Sequence, residues 1–203
     1  MSAAADVAII DSGGANLASL RYALDRLGAR SVVSTDAALI AAAPRVLLPG
    51  VGAAADAMKR LRSSGLDRLI PQLRAPLLGI CLGMQLLFEH SEEGNTACLG
   101  VIGGRIERLR AAPGLPVPHM GWNTLALKAE DPLLAGLQPS DRLYFVHSFA
   151  AGLCEGTLAS VQYGGELCAI VRRDNFRGVQ FHPERSSAAG ARILRNFLEL
   201  PCC

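Results

Sequence analysis

Four short strand-like runs, three of them continuously apolar, constrain this chain more than any other feature. They are Val7–Asp11, Ser31–Ser34, Val46–Leu48 and Pro76–Ile80, and each is followed by a turn and a helical pattern. After the first run and Ser12-Gly13-Gly14, residues Asn16 to Leu27 place Leu17, Leu20, Ala23, Leu24 and Leu27 on one helical face. Gly28 is a natural stop for that helix. Further helices are predicted over Asp36–Ala43, Ala53–Leu61, Leu66–Leu73 and Gly83–Glu89. A strand with no polar alternation must be buried on both faces. Repeated βα units with such strands make a parallel sheet covered by helices on both sides. In such sheets ligands gather at the carboxyl ends of the strands, so residues just after each run are the candidates for function.

The second half is less regular. Strands are predicted over Leu99–Gly104, Arg105–Leu109, Leu143–Val146, Gly156–Val161, Cys168–Val171 and Gly178–Phe181, with some antiparallel pairing. Pro113–Pro118 reads as a loop, and Ala188–Leu200 as a closing helix. There is no internal repeat and no linker, so residues 1–203 are expected to form one domain.

Composition narrows the function classes. Of the 203 residues, 50% are hydrophobic, 19% charged and only 5% aromatic, with a net charge of +2, which excludes a disordered chain. Only Lys59 and Lys128 are lysines, and the arginines are scattered, so no nucleic-acid surface is expected. The best apolar run, Ala75–Phe88, is 14 residues long and carries Gln85, short of the roughly 20 a membrane span needs. The opening MSAAADVAIID lacks the basic region of a signal peptide, and a cytoplasmic protein is expected. The six cysteines show neither a CxxC pair nor zinc-type spacing with histidine. Without GxxxxGK[ST] or GxGxxG there is no nucleotide motif, and no cofactor or metal is expected.

The sharpest local feature is Gly79-Ile-Cys81-Leu-Gly83-Met-Gln85, at the end of the fourth apolar run. Small residues flanking a cysteine between strand and helix have the logic of a nucleophile elbow. A cysteine there sits at a helix N-terminus, where the dipole favours the thiolate. The backbone N–H of Leu82 is then available to an oxyanion. A nucleophile needs a base, and the base needs an orienting partner. Of the four histidines, His90, His119, His147 and His182, the last lies in Phe181-His182-Pro183-Glu184, after an apolar strand. The rigid proline presents His182 and Glu184 from one segment. A third element, Leu48-Pro49-Gly50-Val51-Gly52, ends another apolar run and can offer backbone N–H groups. Each piece has a bland alternative: a buried structural cysteine, a surface histidine beside a turn, an ordinary βα loop. The combination favours catalysis.

Together, Gly79–Gln85 and Phe181–Glu184 resemble the class I, or triad, glutamine amidotransferases, whose elements occur in this order along the whole chain. The resemblance implies a flavodoxin-like, doubly wound α/β fold and a triad of Cys81, His182 and Glu184. It implies an oxyanion site at Leu82, Val51 and Gly52, with a peptide rearrangement in the Pro49–Gly52 turn. Glutamine would be held by Gly50, Gln85, Ser148 and Phe149. Ile10–Asn16, Leu48–Gly52, His119-Met-Gly-Trp-Asn123 and Tyr144–Phe149 further resemble the branch that supplies ammonia to a separate (β/α)8-barrel cyclase in histidine biosynthesis. For that branch, Asn16, His119, Met120, Trp122 and Asn123 would face the partner. Some positions depart from the family pattern: the turn Asp11–Ala15, Ala53-Ala54-Ala55 in place of an aromatic, and Arg185 where lysine is common. The competing readings are an amidotransferase component of anthranilate or aminodeoxychorismate synthesis, a non-catalytic binding protein on this fold, and a stand-alone cysteine hydrolase. Met84 and the His119–Asn123 stretch argue against the first, and the intact triad against the second.

Overall fold

A computed structural model describes residues 5–13 and 17–201. Its strands are β1 (Val7–Ile10), β2 (Ser31–Ser34), β3 (Val46–Gly50), β4 (Leu77–Cys81), β5 (Phe88–Ser91), β6 (Thr96–Ala97) and β7 (Ile102–Arg108). They continue as β8 (His119–Thr124), β9 (Ala126–Leu127), β10 (Arg142–His147), β11 (Phe149–Ala151), β12 (Thr157–Gln162), β13 (Glu166–Arg173) and β14 (Phe176–Val179). The α-helices are α1 (Leu17–Arg26), α2 (Ala37–Ala42), α3 (Ala54–Ser63), α4 (Leu66–Leu69), α5 (Leu82–Gln85) and α6 (Ser187–Glu199).

The main sheet runs β2-β1-β3-β4-β14-β13-β12-β9. Its first five strands are parallel and the remaining pairs antiparallel. The parallel order, with the chain reversing direction of travel at β1, is that of a flavodoxin-like doubly wound α/β fold. Strand β1 is buried throughout because its side chains divide between two cores. Val7 and Ile9 pack with Leu24, Phe145 and Phe197 on one face, whereas Ala8 and Ile10 pack with Ile40, Met58 and Leu61 on the other. Helices α1 and α6 cover the first face, and α2, α3 and α4 the second. That double coverage is the physical reason the first-half runs carry no polar alternation. Among the described residues no helix is long and apolar enough to cross a membrane.

Two smaller sheets, β10-β8 and β11-β7-β5-β6, belong to the irregular middle of the chain. Here the structure corrects several expectations. The helix predicted over Gly83–Glu89 is only the four-residue α5, and the apolar Leu86-Leu87-Phe88 leads into β5. Phe88 begins a parallel pairing with β7, which a helix would forbid. The stretches Leu99–Gly104 and Arg105–Leu109 form one strand, β7, rather than two. His119–Asn123, where no strand is predicted, is strand β8 paired antiparallel with β10. The strand expected over Gly178–Phe181 starts and ends earlier, leaving Phe181 and His182 beyond β14.

Candidate active site

The first site residue owes its position to a strained turn. Cys81 ends β4 and precedes α5 with φ 54° and ψ −112°, a left-handed backbone that non-glycine residues seldom adopt. The turn survives because its neighbours are small. A Cβ on Gly83 would lie 1.7 Å from the Leu48 carbonyl oxygen, so only glycine lets α5 pack this tightly onto β3. The Cys81 sulfur is buried and contacts the Val146 carbonyl at 3.9 Å and the Gln180 side-chain amide at 3.8 Å.

His182 and Glu184 come from the segment after β14, which the backbone pins in place. The His182 N–H donates to the Tyr144 carbonyl at 2.9 Å, and the Ser186 hydroxyl donates to the His182 carbonyl at 2.6 Å. Gly190 allows the start of α6 to press on this segment, since a Cβ there would meet the Pro183 carbonyl oxygen at 1.9 Å. Nδ1 of His182 lies 2.8 Å from Glu184 Oε1, while Glu184 Oε2 is buried with no hydrogen-bond partner. Burial alone would push the His182 pKa down. Hydrogen bonds to Cys81 and to Glu184, together with their charges, overcome it and raise the ring to about 10. The ring therefore carries its proton at neutral pH.

A cleft of about 330 Å³ opens over Cys81. Val51, Gly52, Leu82, Gln85, Ser148, Phe149 and His182 line it, as do Glu93 and His147. Gly50 does not line this cleft. It lines a smaller cavity of about 130 Å³ together with Pro49, His182, Glu184 and Arg185. The Ala53–Ala55 departure leaves α3 without a capping side chain of its own, and Glu93 Oε2 supplies the cap by accepting the Ala54 N–H at 2.8 Å. Arg185, another departure, stacks over Tyr144 at 4.5 Å.

The stretch expected to face a partner divides by strand alternation. Met120 and Trp122 point outward, 66% and 49% exposed, while His119 points inward and is 3% exposed. Asn123 is half-buried and donates to the Gln162 carbonyl at 3.1 Å. The expectation that His119 faces outward is thus corrected: the pleat that exposes Met120 and Trp122 turns it into the protein. Asn16, the fifth of that set, lies outside the described residues. Gln180 was missed altogether. It is fully buried, accepts from the Gln85 amide at 3.0 Å and reaches Cys81. Its one sequence signal is its place just before Phe181-His182-Pro183-Glu184. Among the described residues no group of three or more metal-ligating side chains is gathered.

A buried cysteine on a strained turn shares a cleft with a histidine that a carboxylate orients, the arrangement that cysteine-dependent acyl transfer requires, on a doubly wound α/β fold. Residues 8–200 match the family model for class I glutamine amidotransferases. The chain belongs to that class. Within it, the sequence sits with the HisH subunits. It is 55% identical to the imidazole glycerol phosphate synthase subunit HisH of Xanthomonas euvesicatoria pv. vesicatoria, over 96% of this chain and 98% of that one. It is 54% identical, with the same coverage, to the protein of that name from Xylella fastidiosa strain Temecula1. Solved structures agree on the fold. A glutamine amidotransferase crystal structure superposes with a TM-score of 0.74 at 23% identity, covering 96% of this chain and 97% of that one. A glutamine amidotransferase from Thermotoga maritima gives 0.71 at 16% identity, covering 97% of each chain.

Proposed function

We propose that this chain is the glutaminase subunit of imidazole glycerol phosphate synthase, acting as one domain over residues 1–203. It hydrolyses the side-chain amide of glutamine and passes the ammonia to a barrel-shaped cyclase in a cytoplasmic heterodimer. The cyclase then forms imidazole glycerol phosphate and an aminoimidazole carboxamide ribotide, in histidine biosynthesis. The observation that carries this reading is that Cys81 and a His182 ring oriented by Glu184 line one open cleft. The HisH names of the relatives support the assignment to that synthase.

The steps follow from the geometry. The Cys81 sulfur attacks the amide carbon of glutamine, and the carbonyl oxygen becomes an oxyanion. The N–H of Leu82 receives it, with Val51 and Gly52 after their turn rearranges. His182 gives its proton to the nitrogen as the C–N bond breaks, releasing ammonia and leaving a glutamyl thioester on Cys81. Water then attacks the thioester. His182 takes the water's proton, the C–S bond breaks, and glutamate leaves. Gln85, Ser148 and Phe149 hold the substrate beside the nucleophile, and Gly50 supports the turn from behind. Handing ammonia directly to the partner keeps it from becoming ammonium, which is no nucleophile. Met120 and Trp122 form the exposed apolar part of the partner-facing surface.

The test is glutamine hydrolysis by the purified chain, first by itself and then with the cyclase carrying its nucleotide ligand. Hydrolysis that rises in the complex and vanishes in Cys81→Ala is the expected result. Wild-type hydrolysis indifferent to any such cyclase would overturn the assignment to that synthase, and a fully active Cys81→Ala would overturn the mechanism.

A further inference from the structure

Two buried histidines that the proposed reaction does not use lie end to end beside the cleft. His147 ends β10, and its Nδ1 is 2.9 Å from the Phe149 carbonyl oxygen. His147 Nε2 is 3.0 Å from Nδ1 of His119, in the paired strand β8. Nε2 of His119 lies 3.4 Å from the Asn123 amide nitrogen. His119 is sandwiched between Phe145 and Tyr163, with ring centroids 4.9 and 3.9 Å away.

The direction of every proton in this row is determined from both ends. A carbonyl oxygen only accepts, so His147 must carry its hydrogen on Nδ1. An amide nitrogen only donates, so Nε2 of His119 must be bare and Nδ1 protonated. The middle contact then has His119 donating and His147 accepting, which both ends require independently. Such a row needs both rings neutral. Burial pushes His119 down to about 4. Burial likewise takes His147 to about 4, against the Phe149 carbonyl, which favours the proton, while the charges of His119 and His182 disfavour it.

The row ends on an atom that matters. The Phe149 carbonyl also accepts from the Gln85 side-chain amide at 2.8 Å, and that same amide donates to Gln180 at 3.0 Å. Gln85 has both amide hydrogens committed, so its side chain, which lines the cleft, cannot turn without losing one of these bonds. We propose that His119 and His147 are positioning residues for glutamine: a fixed-tautomer relay that holds the Phe149 carbonyl, orients the Gln85 side chain through it, and ties the inner face of β8 to the substrate cleft. The proposal rests on the reading of that cleft as the glutamine site.

The test separates the relay from the site. In wild-type chain, long-range nitrogen NMR assigns the tautomers directly. The expected result is an Nδ1-protonated, neutral form for both rings at pH 7, and a protonated Nε2 on His147 would overturn the relay. Glutamine binding is then measured by calorimetry on a Cys81→Ala background, where no turnover occurs. His119→Phe keeps the ring stack and removes the donor, and should weaken binding roughly 3–10-fold, the size of one neutral hydrogen bond. Gln85→Ala should weaken it too, and the two together should cost no more than Gln85→Ala alone, because the relay acts through Gln85. Additive losses, or no loss in a folded His119→Phe chain, would overturn the proposal. No glutamine binding by Cys81→Ala itself would overturn the reading of the cleft instead, and the relay's role with it, whatever the tautomers.

Discussion

The rim of the parallel sheet and the β8–β10 ribbon both bury histidine, and they treat it in opposite ways. At the rim, His182 has a carboxylate on one nitrogen and shares its cleft with Cys81, and its pKa rises to about 10 against the pull of burial. In the ribbon, His119 and His147 have only neutral partners, and burial takes both down to about 4. The protonated His182 is one of the charges that keep His147 neutral. Burial alone therefore sets no charge state; the partner on each ring nitrogen does. The rim favours a charged ring, and the ribbon favours two neutral ones.

The largest break in this comparison is at the rim. Cys81→Ala should lower glutamine hydrolysis on the order of 10⁴-fold or more, because members of a catalytic unit fail together. Its melting temperature should stay near that of the wild type. Glu184→Gln should cost up to roughly 10⁴-fold in kcat, no more than the loss of the nucleophile, since the ring stays but loses its orienting carboxylate. The same variant should move the alkaline limb of the pH–rate profile to lower pH. An unmoved limb would detach Glu184 from the His182 proton.

Titration of the fold sharpens the same contrast with smaller effects. His182 binds its proton more tightly folded than unfolded, so its stabilisation is complete below about pH 6.5 and is lost as pH rises toward about 10. His119 and His147 bind theirs less tightly when folded, so the chain loses stability as pH falls from about 6.5 toward about 4. Each unit of displacement is worth about 1.4 kcal/mol at most. Denaturant melts across pH should therefore show a shallower acid limb in His119→Phe and a shallower alkaline limb in His182→Asn. Matching limbs in wild type and variants would contradict the assigned environments.

The two regions were also unequally legible. Cys81, His182 and Glu184 are apparent from sequence because they stand at the ends of unbroken apolar runs, where a doubly wound sheet must put its ligands. Leu86-Leu87-Phe88 is apolar without a period, so helix and strand could not be told apart there; pairing of β5 with β7 decided it. In His119–Asn123 no residue is a strong strand former except Trp122, and the alternation that turns His119 inward exists only once β10 lies beside it. Gln180 sits in a run whose neighbours already look like core. Its amide is notable only because Gln85 and Cys81 converge on it from a distant stretch.

The smallest effect concerns the outer face of the ribbon, one residue away from the relay. Trp122 is 49% exposed and meets Tyr144 edge-on at 5.8 Å, so its ring is held without being covered. An exposed, pre-oriented tryptophan beside the exposed Met120 has the character of an interface anchor. Trp122→Ala should weaken binding to the cyclase roughly 10–30-fold, an anchor's share of about 2 kcal/mol at the upper end. It should change the stability of the isolated chain by less than about 0.5 kcal/mol, as surface substitutions do. His119→Phe, on the inner face of the same strand, should do the reverse: weaker glutamine binding in the isolated chain, with partner affinity little altered. If both variants instead weaken both ligands equally, the two faces of β8 form one interface and the division drawn by its pleat is wrong.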